Sequence, residues 1–191
     1  MAERIPCTFI LGGQRSGKSR HGEGLARQWL EASSDRRAVM VATGQAWDEE
    51  MRERIARHRV DRAQRVPGML TVEEPLALAD AVRRQSDART LVVVDCLTLW
   101  LTNLMMPADP ACALAEDAAE AEADRLCAAI EAAPGPVALV GNEIGLGVIP
   151  MGREVRRFVD TLGRLNQRVA AVCPRVTLMV AGLPLTLKDE R

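Results

Sequence analysis

Eight consecutive residues, Gly12-Gly13-Gln14-Arg15-Ser16-Gly17-Lys18-Ser19, carry the spacing of a phosphate loop: glycine, four residues, glycine, lysine, then serine. Such a loop turns successive backbone N–H groups into one concavity, and the helix that follows adds the positive end of its dipole. Lys18 is then placed to reach the outer phosphates of a nucleoside triphosphate, and the Ser19 hydroxyl to ligate magnesium. Only Lys18 and Lys188 are lysines among 25 basic residues, so a lysine where this chemistry demands one is informative. The other reading is a glycine-rich strand-to-helix turn that holds no ligand.

A second group of candidates lies downstream. Asp95 ends the apolar run 91–94, and a carboxylate there can hold magnesium while the ion bridges phosphate oxygens. It could instead cap the following helix. Glu50, Arg54, His58 and Arg62 recur every four residues, which puts them on one helix face. His58 stands between Arg57 and Arg59. Neighbouring cations keep an imidazole neutral and nucleophilic, and a neutral histidine beside a triphosphate can attack the α-phosphorus. The same spacing also describes a solvated face laced with ion pairs, so both readings stand at this point. His21 is either a phosphate neighbour or a first-turn helix residue. Glu73-Glu74 could bind a ribose or substrate hydroxyl, or form the acidic start of a helix. Asn142-Glu143 opens a glycine-rich loop that either meets substrate or simply turns the chain. Arg153, Arg156, Arg157 and Arg164 read as a solvated helix face that could also receive an anion.

The elements that must position these residues alternate. Strands are expected at residues 7–11, 38–42, 69–73, 91–95, 137–140 and 176–181, with a short edge strand at 184–188. Helices are expected at 21–32, 48–64, 75–84, 97–106, 113–133 and 153–172. Apolar strands alternating with helices mean an α/β fold, with a largely parallel sheet covered by helices on both faces. No repeat or linker divides the chain, so residues 1–191 read as one nucleotide-binding domain. Ligands of such sheets sit at the carboxyl ends of the strands. That rule gathers the phosphate loop, Thr43-Gly44, Glu73, Asp95 and Asn142-Glu143 on one edge.

Composition narrows the function classes. A net charge of −1 gives no general attraction to nucleic acid or anionic membrane, and 3% aromatic residues supply a poor base-stacking surface. Residues 1–6 lack the apolar core of a leader, and the apolar stretch 91–106 is too interrupted by polar residues to span a membrane. The five scattered cysteines, without CxxC spacing, read as buried small hydrophobes in a reducing compartment and not as a disulfide frame. A soluble, cytoplasmic protein is expected.

Taken in order, several segments resemble the bifunctional adenosylcobinamide kinase and adenosylcobinamide-phosphate guanylyltransferase family. They are the loop with Arg20-His21, Ala42-Thr43-Gly44-Gln45, Arg54-Ile55-Ala56-Arg57-His58-Arg59, Val94-Asp95-Cys96-Leu97-Thr98, Thr102-Asn103-Leu104, Asn142-Glu143-Ile144-Gly145-Leu146-Gly147 and Gly163-Arg164-Leu165-Asn166-Gln167. The resemblance covers nearly the whole chain. It implies a P-loop (RecA-like) sheet, a homo-oligomer, and His58 as the residue that accepts GMP from GTP. It also implies nucleotide contacts from Gly12 through Ser19, from Ala42, Thr43 and Gly44, from Arg59, Val60, Asp61 and Arg62, and from Glu73 and Asp95.

The function expected from residues and resemblance together is a pair of reactions. A nucleoside triphosphate, ATP or GTP, phosphorylates adenosylcobinamide with magnesium near Ser19 and Asp95. GMP then passes from GTP through His58 to the phosphorylated corrinoid, in cobalamin biosynthesis. The alternatives are a P-loop small-molecule kinase only, or a RecA-like NTPase binding module. Against a GTPase-type switch, the chain has no Asn-Lys-x-Asp motif.

Overall fold

The computed structural model describes residues 7–148 and 150–190. Residues 1–6, where no leader is expected, lie outside the described residues, as do Ile149 of the glycine-rich loop and Arg191.

Strand β1 (Thr8–Gly12) enters the loop, and α1 (Lys18–Glu31) leaves it. There follow β2 (Arg37–Ala42), α2 (Glu49–Arg65), β3 (Leu70–Glu73), α3 (Leu78–Gln85), β4 (Thr90–Asp95) and α4 (Leu97–Met105). After a 3-10 turn at Pro110–Cys112 come α5 (Glu116–Glu131), β5 (Val137–Asn142), α6 (Arg153–Val172), β6 (Arg175–Val180) and β7 (Leu183–Asp189). The seven strands form one sheet in the order β3-β2-β4-β5-β1-β6-β7, parallel except for the antiparallel β6–β7 pair.

Continuous apolar strands require a cover on both sides, and both are present. On one face Ile10, Met40, Leu91, Val93 and Val140 pack with Ala26 and Trp29 of α1 and with Val66 at the end of α2. On the other, Phe9, Leu11, Val41, Val92, Val94 and Leu139 pack against α3, α4, α5 and α6. Helix α6 shows the cause locally: Phe158, Leu162, Leu165 and Val169 repeat at helical spacing and are its buried stripe.

Several expectations are corrected. Strand β5 runs on to Asn142, because Gly12 pairs with it in register beyond the apolar run. Helix α3 starts at Leu78 and not at 75, since the Glu74 carboxylate accepts the Leu76 and Ala77 amides at 3.2 and 2.9 Å and holds the preceding turn. Helix α5 starts at Glu116, after the Asp109 carboxylate has capped the separate 3-10 turn. The terminal strand is longer than expected. A two-residue reversal joins it to β6, with Ala181 and Gly182 both at positive φ, 52° and 81°, as such hairpins require.

The cysteine reading is corrected at two places. Cys7 and Cys173 are disulfide-bonded, with Cα atoms 5.0 Å apart, joining the approach to β1 to the end of α6. Cys112 is exposed, so only Cys96 and Cys127 are buried free thiols. The α6 arginines are also not a bare solvated face: Arg157 pairs with Glu116 of α5, and Arg164 with Glu116 and Glu120.

Candidate active site

Side chains alternate along a strand, so burial partners fix which way the last residue of each strand faces. In β1, β4 and β2, Ile10, Val93 and Met40 pack on the α1 side. Gly12, Asp95 and Ala42, two residues further on, therefore face that same side at the carboxyl edge. Glu73 is in register with Ala42 and follows Thr71, whose hydroxyl accepts a hydrogen bond from Arg62 of α2 at 3.2 Å. The phosphate loop, Asp95 and the end of β3 thus share one edge, overlaid by α1 and α2.

The loop itself is tightly built. Gly12, Arg15 and Gly17 adopt positive φ of 155°, 55° and 100°. A Cβ at Gly12 would lie 2.5 Å from the Ser16 hydroxyl and 2.6 Å from the Met179 carbonyl, so only glycine permits the turn. Lys18 is 8% exposed and donates from Nζ to the Gly13 carbonyl at 2.6 Å. Burial holds its pKa below the usual value, while the Asp95 charge acts in the opposite direction. Ser16 Oγ is buried without a hydrogen-bond partner, an orphan donor in a loop otherwise closed on itself. The β6–β7 turn supports the loop from outside, the Gly182 amide donating to the Ser16 carbonyl at 3.0 Å.

The Thr43 side chain is engaged within the fold. Its fully buried hydroxyl donates to the Cys96 carbonyl at 2.7 Å and accepts the Cys96 amide at 2.9 Å. Its own carbonyl accepts from Asn103 at 2.7 Å, and its amide donates to the Asp95 carbonyl at 3.1 Å. Thr43 is therefore the clamp that holds the ends of β2 and β4 together, and its side chain is spent. The Cys96 thiol beside it is pushed up to about 12 by burial and by the Asp95 charge, so it stays protonated and is no nucleophile.

Helix α2 begins where Asp48 accepts the Met51 amide at 2.7 Å. Acidic residues in its first turn and Arg62 and Arg65 in its last suit the helix dipole. Arg62 is its one buried side chain. Arg65 reaches the buried Glu23 of α1 at 3.0 Å, Arg59 pairs with Glu73, and Ile55 lies 3.8 Å from the position a Gly44 Cβ would occupy. The positive charge of Arg54 acts on Lys18. His58 sits on the face between Arg54 and Arg62, exposed, one turn beyond the residue whose charge reaches the loop.

Of the residues expected from Arg59 to Arg62, only Val60 stays outside this packing, 58% exposed. Arg59, Asp61 and Arg62 are engaged with Glu73, Arg65 and Thr71. Glu73 and Glu74 divide their roles: Glu73 meets α2, whereas Glu74 caps the turn before α3. Three polar residues that carry the edge were not singled out by their chemistry: Thr98, Asn103 and Asn166. The signal available was a polar residue inside an otherwise apolar helix face.

A glycine loop between β1 and α1, an acid at the end of a nearby parallel strand and a helix-covered sheet define a P-loop, RecA-like nucleotide-binding fold. Solved structures agree at the level of fold. The flagellar accessory protein FlaH from Methanocaldococcus jannaschii superposes with a TM-score of 0.54 at 10% identity, over 97% of this chain and 79% of that one. The KaiC-like protein PH0186 from Pyrococcus horikoshii gives 0.50 at 11%, over 92% and 71%. Within that fold class the sequence is more specific. The family described as cobinamide kinase / cobinamide phosphate guanyltransferase matches residues 8–187, and the chain belongs to it. It is 48% identical to the bifunctional adenosylcobalamin biosynthesis protein CobP of Pseudomonas aeruginosa, over 95% of this chain and 97% of that one. It is 34% identical to the protein of the same description, CobU, of Escherichia coli, over 94% and 98%. The protein is thus a transferase with kinase and guanylyltransferase activities on cobinamide.

Proposed function

We propose that one domain performs both transfers at the carboxyl edge of the sheet, with His58 as the covalent relay for GMP. The observation that supports this reading is that α2, which bears His58, is paired with the end of β3 through Arg59–Glu73 and with α1 through Arg65–Glu23.

In the first reaction the hydroxyl of adenosylcobinamide attacks the γ-phosphorus of a nucleoside triphosphate, and the diphosphate leaves. Gly12 through Ser19 cradle the phosphates, with Lys18 released from the Gly13 carbonyl to meet them. Catalysis of this kind is mostly positioning and charge neutralisation. Ser19 and Asp95 supply hard oxygen donors, which suits magnesium, and phosphate and water oxygens would complete its shell. When bound, that ion would neutralise phosphate charge.

In the second reaction an imidazole nitrogen of His58 attacks the α-phosphorus of GTP. An N–P bond forms, the bond to the bridging oxygen breaks, and pyrophosphate leaves. The phosphate oxygen of adenosylcobinamide phosphate then displaces His58 and takes the GMP. Two displacements replace one difficult encounter between highly charged partners. Thr43 holds the strand ends that flank the nucleotide.

The protein acts in the cytoplasm; among the described residues no helix is long and apolar enough to cross a membrane. It acts as a homo-oligomer, a reading supported by the apolar side chains that β6 and β7 leave open: Val180, Leu183, Leu185 and Leu187 are each more than half exposed.

The test is incubation with GTP labelled on the α-phosphate and magnesium, followed by denaturation. An acid-labile, base-stable label that maps to His58 is expected, as a phosphoramidate requires. Normal nucleotide binding with no label would reduce the protein to a kinase.

A further inference from the structure

We propose that the Asn142 carboxamide is a contact to the outermost phosphate of the bound triphosphate, and that Thr98 and Asn166 are the positioning residues that aim it. The proposal rests on the kinase reading in that it needs a triphosphate in the loop.

Strand β5 lies between β1, which carries the phosphate loop, and β4, which carries Asp95. Asn142 is in register with Gly12, and Val140 with Asp95. Ala138 and Val140 pack on the α1 side of the sheet, so Asn142 faces that side too. It therefore stands at the same edge, between the loop and the acid, on the face that both use.

Its backbone is fixed with unusual thoroughness. The Asn142 amide donates to Thr98 Oγ1 at 2.9 Å, and its carbonyl accepts from Asn166 Nδ2 at 3.1 Å. These partners come from two different helices, α4 and α6, and Asn166 is only 5% exposed. The glycine before it is required by the same arrangement. A Cβ at Gly141 would lie 2.9 Å from the Phe9 ring and 3.4 Å from Asn166 Oδ1. Burying a polar side chain costs desolvation, and the buried Asn166 spends its amide donor on this one backbone position, as the half-buried Thr98 does its hydroxyl.

By contrast the Asn142 carboxamide, half-buried at that edge, has no hydrogen-bond partner among the described residues. Its chemistry suits a phosphate beside a carboxylate. The NH2 group donates to a phosphate oxygen without adding charge, and the carbonyl can accept from the attacking hydroxyl. Lys18 supplies the cation on one side of the terminal phosphate, and Asn142 a neutral donor on the other.

The experiment compares binding of a non-hydrolysable triphosphate analogue with binding of the corresponding diphosphate, using the full chain and Asn142→Ala and Asn142→Asp variants. Loss of one hydrogen bond to a charged oxygen should cut the triphosphate preference of Asn142→Ala about tenfold, with diphosphate affinity within about twofold of wild type. Asn142→Asp, nearly isosteric, should lose more because its charge repels the phosphate. It also covers the case in which the alanine variant fails to fold. In turnover, phosphoryl transfer should fall about 100-fold in kcat, the usual effect of removing one preorganised donor. Labelling of His58 from the α-phosphate should fall less than about fivefold, since that step leaves the terminal phosphate uncut. Thr98→Val should lower kcat in the same sense, and Thr98→Ser should restore it. An unchanged triphosphate preference in both Asn142 variants, or equal loss for both nucleotides, would overturn the proposal. A wild-type protein that transfers no phosphoryl group to cobinamide would instead overturn the kinase reading, whatever the binding ratio.

Discussion

The guanidinium of Arg59 is paired with the carboxylate of Glu73, so the helix that bears His58 is tied to the end of strand β3 by one exposed ion pair. Little else anchors the middle of α2, whose one buried side chain is Arg62 near its C-terminal end.

Glu73→Gln should therefore separate stability from function. Both side chains of the pair are about half exposed, 53% and 55%, and such pairs contribute about 0–1 kcal/mol. The urea midpoint should hardly move, while the rate of guanylyl labelling at His58 falls as α2 loses its tether. Unchanged labelling in this variant would mean that the pair does not position the helix.

His58→Ala and Lys18→Ala should fail differently. The first should abolish guanylyl transfer and leave most of the phosphorylation of cobinamide. The second removes the cation that meets the phosphates in both reactions, and both rates should drop by about 100-fold or more. Equal loss of the two activities in His58→Ala would argue against separate roles.

Thr43→Val keeps the shape but removes a hydroxyl that both donates to and accepts from Cys96. Two buried backbone groups then lose a partner, which should cost about 1–3 kcal/mol in chemical denaturation. Nucleotide affinity should weaken only in step with stability; selective loss of affinity in a fully stable variant would mean that Thr43 touches the nucleotide after all.

Burial holds the His21 imidazole below its usual pKa of 6.5. The unfolded chain then takes up a proton before the folded one as the pH falls, so stability declines from about pH 6.5 downward until the folded group also protonates. His21→Gln should flatten the fall of the melting temperature below about pH 6.5. An unchanged slope would place the acid sensitivity elsewhere.

Glutamates at Leu183 and Leu185 place charge on the open apolar stripe of β7. Sedimentation should show a smaller species than wild type at equal concentration. If the mass is unchanged, subunits associate through another surface.

The sequence by itself determined the class of the fold and most of the chemistry. Apolar strands with no polar alternation can only be stable between two helical layers, and a glycine loop joining such a strand to a helix has one dominant use. His58 is the instructive case. Spacing alone left it on a face that could equally be solvated, and the order of motifs along the whole chain singled it out. Only the tertiary structure showed that α2 packs beside the end of β3 and α1, because that depends on Arg59, Arg62 and Arg65 meeting Glu73, Thr71 and Glu23. The same is true of the bonds by which Thr43 joins the ends of β2 and β4. Asn142 reads as a loop residue until its register with Gly12 makes it the end of a central strand. Local patterns record which groups a chain can offer. Which of them face one another is set by strand order and register, and those are decided only when the whole sheet packs.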